Sequence, residues 1–189
     1  MSDERAEDPD DPAGAPADDP IDESTADPAE DLTHTDASGE VRMVDVGDKP
    51  DTSRRAAARG EIRLTPSTIA AVEADEVGKG DVLATARVGA VQAVKHTWET
   101  IPMCHQIPIT NVDTDFAVGD DRIELTVAVE TTGKTGCEME ALEGVTTGLN
   151  VVWDMVKAAE KDDDGGYPDT GISGVEVVAK EKRALDDRD

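Results

Sequence analysis

Asp154 and Lys157 stand three residues apart in a stretch whose periodicity predicts a helix, so they share a face. A carboxylate and an amine held that way can work as a proton-transferring acid and base, each tuned by the other's field. An ordinary surface ion pair has the same spacing. Lys79 sits between Gly78 and Gly80 at the entrance of another predicted helix, where outward N–H groups and the dipole favour an anion. A lysine there suits a phosphate contact or, more plainly, an exposed turn. Gly133-Lys134-Thr135-Gly136 has similar chemistry but lacks the longer Walker spacing. Cys104 and His105 lie in a loop bracketed by Pro102 and Pro108, where the histidine could donate to a phosphate, move a proton or simply be structural. Zinc would need about four ligands. The remaining candidates, Cys137, His96 and His34, show no CxxC or HxxxH spacing, so no metal site is assigned. Glu138-Met139-Glu140 opens the helix that carries Asp154, and complementing the dipole accounts for one of those carboxylates.

Glu140 and Asp154 are 14 residues apart. On one helix they lie within about 40° of each other around the axis but about 21 Å apart along it. One copy of the helix cannot bring both to one small molecule. If both serve one site, two subunits share it.

The elements that must position these residues follow from periodicity and turn chemistry. Glu61–Leu64 alternates like a short strand, while Arg54–Gly60 is Arg- and Ala-rich without a clear face. Thr65 reads as an N-cap, with Pro66 in the first turn of a helix to about Glu73. Val82, Ala86, Ala90 and Val94 recur every four residues and predict a helix over 81–97. Ile107–Ala117 and Arg122–Thr132 read as strands joined by a hairpin at Val118–Asp121. The helix Glu138–Glu160 has an apolar stripe of Leu142, Val145, Leu149, Val152 and Val156. An Asp- and Gly-rich loop covers 162–171, and Ile172–Ala179 is the last strand. With the first two helices as one crossover, the order is β-α-β-β-α-β. That predicts an α+β, ferredoxin-like fold: an antiparallel sheet with helices packed on one face.

Charge narrows the partners. The 189 residues carry a net −26. Residues 1–31 hold 13 Asp or Glu against Arg5 alone and almost lack large apolar groups, which predicts a disordered acidic tail before a domain over 32–189. The domain still carries fourteen of the excess negative charges. Such a balance argues against nucleic acid and anionic membranes as partners, and four aromatics without basic interleaving argue the same. No apolar run approaches the roughly 20 residues of a membrane span, and the acidic start is no secretory signal. With two cysteines and no disulfide framework, the expected compartment is the reducing cytoplasm. The acidic surface fits either salt adaptation, since about 1 M salt shrinks the Debye length to roughly 3 Å, or an ordinary acidic protein.

Taken in order, the motifs carry a resemblance. Met43-Val44-Asp45-Val46, Lys79-Gly80-Asp81-Val82 with Ala86-Arg87, and Ile101-Pro102-Met103-Cys104-His105 come first. Thr132-Gly133-Lys134-Thr135-Gly136, Glu138-Met139-Glu140-Ala141-Leu142 and Asp154-Met155-Val156-Lys157-Ala158 follow. From about Leu32 to Lys182 the chain resembles the molybdenum cofactor biosynthesis protein C family, the cyclic pyranopterin monophosphate synthases. The resemblance implies a lyase that rearranges 3′,8-cyclised dihydro-GTP to cyclic pyranopterin monophosphate and releases pyrophosphate. It implies a homohexamer built from dimers, with the active site at the dimer interface. Asp154 then takes the catalytic acid/base position with Lys157 as its partner, and Lys79 and His105 fall where the family holds the triphosphate. Met103, Cys104, Glu138, Met139 and Glu140 fall in substrate-contact segments, and Lys180 matches a late lysine. No cofactor is required, though Mg²⁺ could assist pyrophosphate departure. Gln106 stands where many relatives have proline, the 162–171 loop is longer than in bacterial members, and their Gly- and Lys-rich tail is missing after Lys180. The alternative function is a non-catalytic ferredoxin-like nucleotide-binding module.

Overall fold

The structure, a computed structural model, describes residues 41–185; the acidic head expected to be disordered lies outside them. Seven elements follow in order: β1 (Thr52–Arg63), α1 (Pro66–Glu73), α2 (Val82–Thr100), β2 (Ile109–Val118), β3 (Arg122–Gly133), α3 (Glu138–Glu160) and β4 (Gly171–Ala184). The strands form one antiparallel sheet in the order β2-β3-β1-β4. This is the expected ferredoxin-like arrangement, with β1 central and β2 and β4 at the edges.

The sequence under-reads β1, which has twelve residues instead of four. Its inward positions Ala56, Ala58 and Gly60 are small because α3 crosses close above them. A Cβ on Gly60 would sit 2.9 Å from a methyl of Val145 and 2.9 Å from one of Val175. A strand without bulky β-branched residues loses the usual signal, and pairing on both edges fixes it instead. β4 runs on to Ala184 for the same reason: the long β1 gives it a partner. A one-residue bulge at Val178 interrupts that ladder.

α1 and α2 begin where their caps place them. Thr65 accepts the Thr68 N–H, and Asp81 accepts the Ala84 N–H at 2.8 Å. α2 buries Val82, Ala86, Ala90 and Val94 as expected, and continues through Thr97. α3 has the expected bounds but a different stripe. Leu142 is only partly buried, and Gly144, Gly148 and Met155 join Val145, Leu149, Val152 and Val156 inside. The glycines let α3 press onto α2 and β3: a Cβ on Gly144 would lie 2.8 Å from Val94 and 3.0 Å from Val127.

The apolar core therefore lies between the two long helices and one sheet face. The other face carries cross-strand ion pairs. Arg55 reaches Glu130 on β3 and Glu181 on β4, Arg59 pairs with Glu176, and Arg122 with Glu61. Among the described residues no helix is long and apolar enough to cross a membrane.

Candidate active site

Three of the expected residues meet at one point. The chain leaves α1 through a turn closed by the Gly80 N–H on the Val77 carbonyl, 2.9 Å, with Gly80 at φ +102°. A left-handed backbone there favours glycine, and it turns Lys79 toward the side of α3. The Lys79 Nζ donates to the Asp154 backbone carbonyl at 2.6 Å and to its Oδ2 at 2.8 Å. Lys157, one turn along α3, donates to the other carboxylate oxygen at 2.7 Å. Hydrogen bonds from Lys157 and then Lys79 lower the Asp154 carboxyl to about 2, and its partner raises the Lys157 amine. At neutral pH this centre is one carboxylate gripped by two ammonium groups. The carboxylate can only accept protons, and the acid capacity lies on the lysines. All three side chains are open to solvent.

Glu138, Met139 and Glu140 open the opposite end of α3. Glu138 forms an ion pair with Lys180, which stands on β4 opposite Ala56. Partial burial pushes the Glu138 carboxyl up, but the Lys180 hydrogen bond, a backbone N–H and the charges of Lys180 and Arg54 outweigh it and leave it lowered. Glu140 is buried, with 4% of its surface exposed. Burial is the main reason its carboxyl is pushed up to about 7, and the charge of Glu138 adds to this. The Cys104 thiol is raised first by burial and then by the charge of Glu140, so it lies within reach of that carboxylate's field. Met103 and Met139 remain exposed, with 36% and 40% of their surfaces accessible. A turn closed by the Cys104 N–H on the Ile101 carbonyl, 3.0 Å, carries this loop, and His105 follows it half-buried.

One chain thus presents two clusters on α3, separated by the 14 residues between Glu140 and Asp154, about 21 Å of continuous helix. Lys79, Asp154 and Lys157 are brought together; Lys180 comes to Glu138, and Cys104 comes within reach of the field of Glu140. The clusters are not brought to each other within the chain.

Two participants, Arg54 and Tyr167, escaped the sequence reading. Arg54 donates to Thr52 Oγ1 at 2.9 Å and to the Lys134 carbonyl at 3.3 Å, close enough to act on Glu138. Its only signal was a basic residue in a segment without a face. Lys134 does not face the site freely; its Nζ holds the Gly47 carbonyl at 2.5 Å and tethers the 41–51 segment. Tyr167 packs edge-on against Trp153, ring centres 5.8 Å apart, beside the Asp154 centre. Cys137 is buried, donates to the Val129 carbonyl, and is pushed up to about 11 mainly by burial. Such a thiol is neither nucleophile nor ready metal ligand. Among the described residues no three His, Cys, Asp or Glu side chains converge as a metal site would require.

A family model described as the MoaC family matches residues 43–183. The chain belongs to this family. Its relatives in the MoaC family include a protein of Natronomonas pharaonis, 77% identical over 154 residues, covering 82% of this chain and 96% of that one. That relative is named a probable cyclic pyranopterin monophosphate synthase, as is one from Halobacterium salinarum, 76% identical over 151 residues, covering 80% and 93%. A protein of Methanothermobacter thermautotrophicus, 54% identical over 154 residues and covering 82% and 96%, is named a probable cyclic pyranopterin monophosphate synthase accessory protein.

Proposed function

We propose that this chain is a cyclic pyranopterin monophosphate synthase of molybdenum cofactor biosynthesis. It takes (8S)-3′,8-cyclo-7,8-dihydroguanosine 5′-triphosphate, rearranges it to cyclic pyranopterin monophosphate and releases pyrophosphate. Membership of the MoaC family and relatives at 77% and 76% identity support the reading. The observation that carries it is the convergence of Lys79 and Lys157 on Asp154.

The chemistry suits that centre. Closing a cyclic phosphate while a diphosphate departs builds negative charge on the leaving oxygen. Two ammonium groups in place can stabilise it and give it a proton. Asp154, held as a carboxylate, orients both amines and accepts the proton that ring opening releases. Lys79 and His105 hold the triphosphate. Glu138 and Glu140 accept N–H groups of the guanine-derived ring, with Met103, Cys104 and Met139 against its faces and Lys180 ordering Glu138. The residues do not fit a resident metal: Asp154 already has two cationic partners, and Glu138 is paired with Lys180. Any Mg²⁺ would arrive on the substrate's phosphates, and no step here runs through it.

The 21 Å between clusters supports a site assembled from two copies, the Asp154 end of one α3 meeting the Glu140 end of the other. Such dimers would build the hexamer that the family resemblance implies. The negative charge of the domain supports a surface adapted to concentrated salt, and the two free cysteines support a cytoplasmic setting.

The test is mass-spectrometric turnover of the cyclised dihydro-GTP in concentrated potassium chloride, with Lys157→Ala beside the wild type. The wild type should yield cyclic pyranopterin monophosphate and pyrophosphate, and the variant should be slower by about 10²-fold or more, the usual worth of a proton donor. A folded wild type that binds the substrate and leaves it unchanged would instead make the chain a non-catalytic nucleotide-binding module.

A further inference from the structure

Glu160, the last residue of α3, is a charged side chain with only 5% of its surface exposed. The Thr65 N–H reaches both of its oxygens, at 3.1 and 3.3 Å. The Thr65 hydroxyl donates to Oε1 at 2.8 Å and the Thr170 hydroxyl to Oε2 at 2.6 Å. One buried carboxylate therefore ties the start of α1 and the end of the 161–170 loop to the end of α3. Burial alone would raise its pKa, yet the hydrogen bonds from Thr170, Thr68 and Thr65 leave it lowered, so it is a carboxylate in place.

This knot lies one turn from Lys157 and at the far end of α1 from Lys79. Thr65 stands against Glu160, and Lys79 stands against Asp154, six residues earlier on α3. α1 thus starts at the end of α3, and the connection after it, residues 74–79, brings Lys79 back to Asp154. The eight residues of α1 span about 12 Å, close to the roughly 9 Å between Asp154 and Glu160. Ile69 and Val72 sink α1 into the core. Apolar contact is non-directional and sets depth, not position along the partner. Hydrogen bonds with fixed partners set that position.

We propose that Glu160 is a positioning residue: it fixes the register of α1 against α3 and so seats Lys79 on Asp154. The seating itself needs no assumption about the reaction; its consequence for turnover rests on the synthase reading.

Lysine reactivity tests the seating without substrate. The full chain is briefly acetylated, and the rate at each lysine is read by mass spectrometry for wild type, Glu160→Ala and Glu160→Gln. In Glu160→Ala, Lys79 should be acetylated about five-fold faster, the worth of one lost net hydrogen bond. Lys157, held by Asp154 on its own helix, and Lys95 on α2 should not change. Glu160→Gln keeps an oxygen for Thr65 and should restore protection. An unchanged Lys79 in Glu160→Ala overturns the proposal, and so does an equal rise at every lysine. If Glu160→Ala does not fold, Thr65→Val removes one donor to Glu160, and wild-type protection of Lys79 in that variant overturns it equally. Under the synthase reading, kcat/KM should fall in Glu160→Ala by a similar factor and recover in Glu160→Gln. Lost Lys79 protection in a protein whose wild type turns nothing over would sink the synthase reading and leave the positioning role standing.

Discussion

Asp154 and Glu140 are carboxylic acids on one helix, and their surroundings drive them in opposite directions. Two ammonium partners take Asp154 down to about 2, while burial takes Glu140 up to about 7. The second shift carries a cost that can be measured. Folded Glu140 keeps its proton up to about 7, whereas the unfolded chain releases it near the ordinary 4.5. Between those values the folded state binds more protons, so stability falls as pH rises through that window. Glu140→Gln removes the penalty. Urea unfolding should find the variant close to wild type near pH 5 and more stable at pH 8 by on the order of 2 kcal/mol. Equal stability at pH 8 would mean that a cation compensates the buried charge. Of these residues, the sequence made the Asp154–Lys157 pair legible through its three-residue spacing. Lys79 is 75 residues away from Asp154, and no local spacing reports such a contact. The helical wheel placed Glu140 near Asp154 in angle, but the cover that buries it comes from elsewhere in the chain.

Among the elements, α3 does most to organise the molecule. Gly144 and Gly148 let it approach α2 and β3 more closely than any larger residue would permit. A methyl at Gly148 would press on Leu125 and sit 3.2 Å from the Ala90 Cβ. Overpacking of this kind typically costs about 1–3 kcal/mol. Calorimetry of Gly148→Ala should therefore show a Tm lower by several degrees, on the scale of roughly 2–8 °C per kcal/mol for domains of this size range. An unchanged Tm would mean that the helices can part without loss. The bounds of α3 were readable because an acidic first turn and a long 3.6-residue period agree. Its inward Gly144 and Gly148 were not, since glycine carries no hydrophobic signal. The first part of β1 was missed for a related reason: its inward Ala56, Ala58 and Gly60 are small. Where two elements come closest, the sequence becomes small and loses its pattern.

For the whole molecule, the separation of the clusters matters most. If each site draws on both ends of α3 from different copies, two defective chains can repair each other. Mixing Glu140→Ala with Asp154→Ala under subunit exchange should restore activity, toward one quarter of wild type for random dimers with one intact site of two in each hybrid. Two inactive parents that stay inactive after exchange would confine the site to one chain. The sequence made this arrangement arguable through helix geometry alone, because 14 residues on a straight helix fix a length. It said nothing about which surfaces meet.

That fixed length has a consequence for how the gene can change. One residue added between Glu140 and Asp154 would lengthen α3 by about 1.5 Å and rotate everything beyond it by about 100°. Asp154 and Lys157 would then leave Lys79, and the chemical groups at the two ends would lose their phase. The Asp- and Gly-rich turn over 161–170 can absorb length changes between Glu160 and Thr170 as long as both ends stay anchored. Insertions and deletions should therefore be tolerated between 162 and 169 and eliminated between 140 and 157, even at positions where any side chain would do.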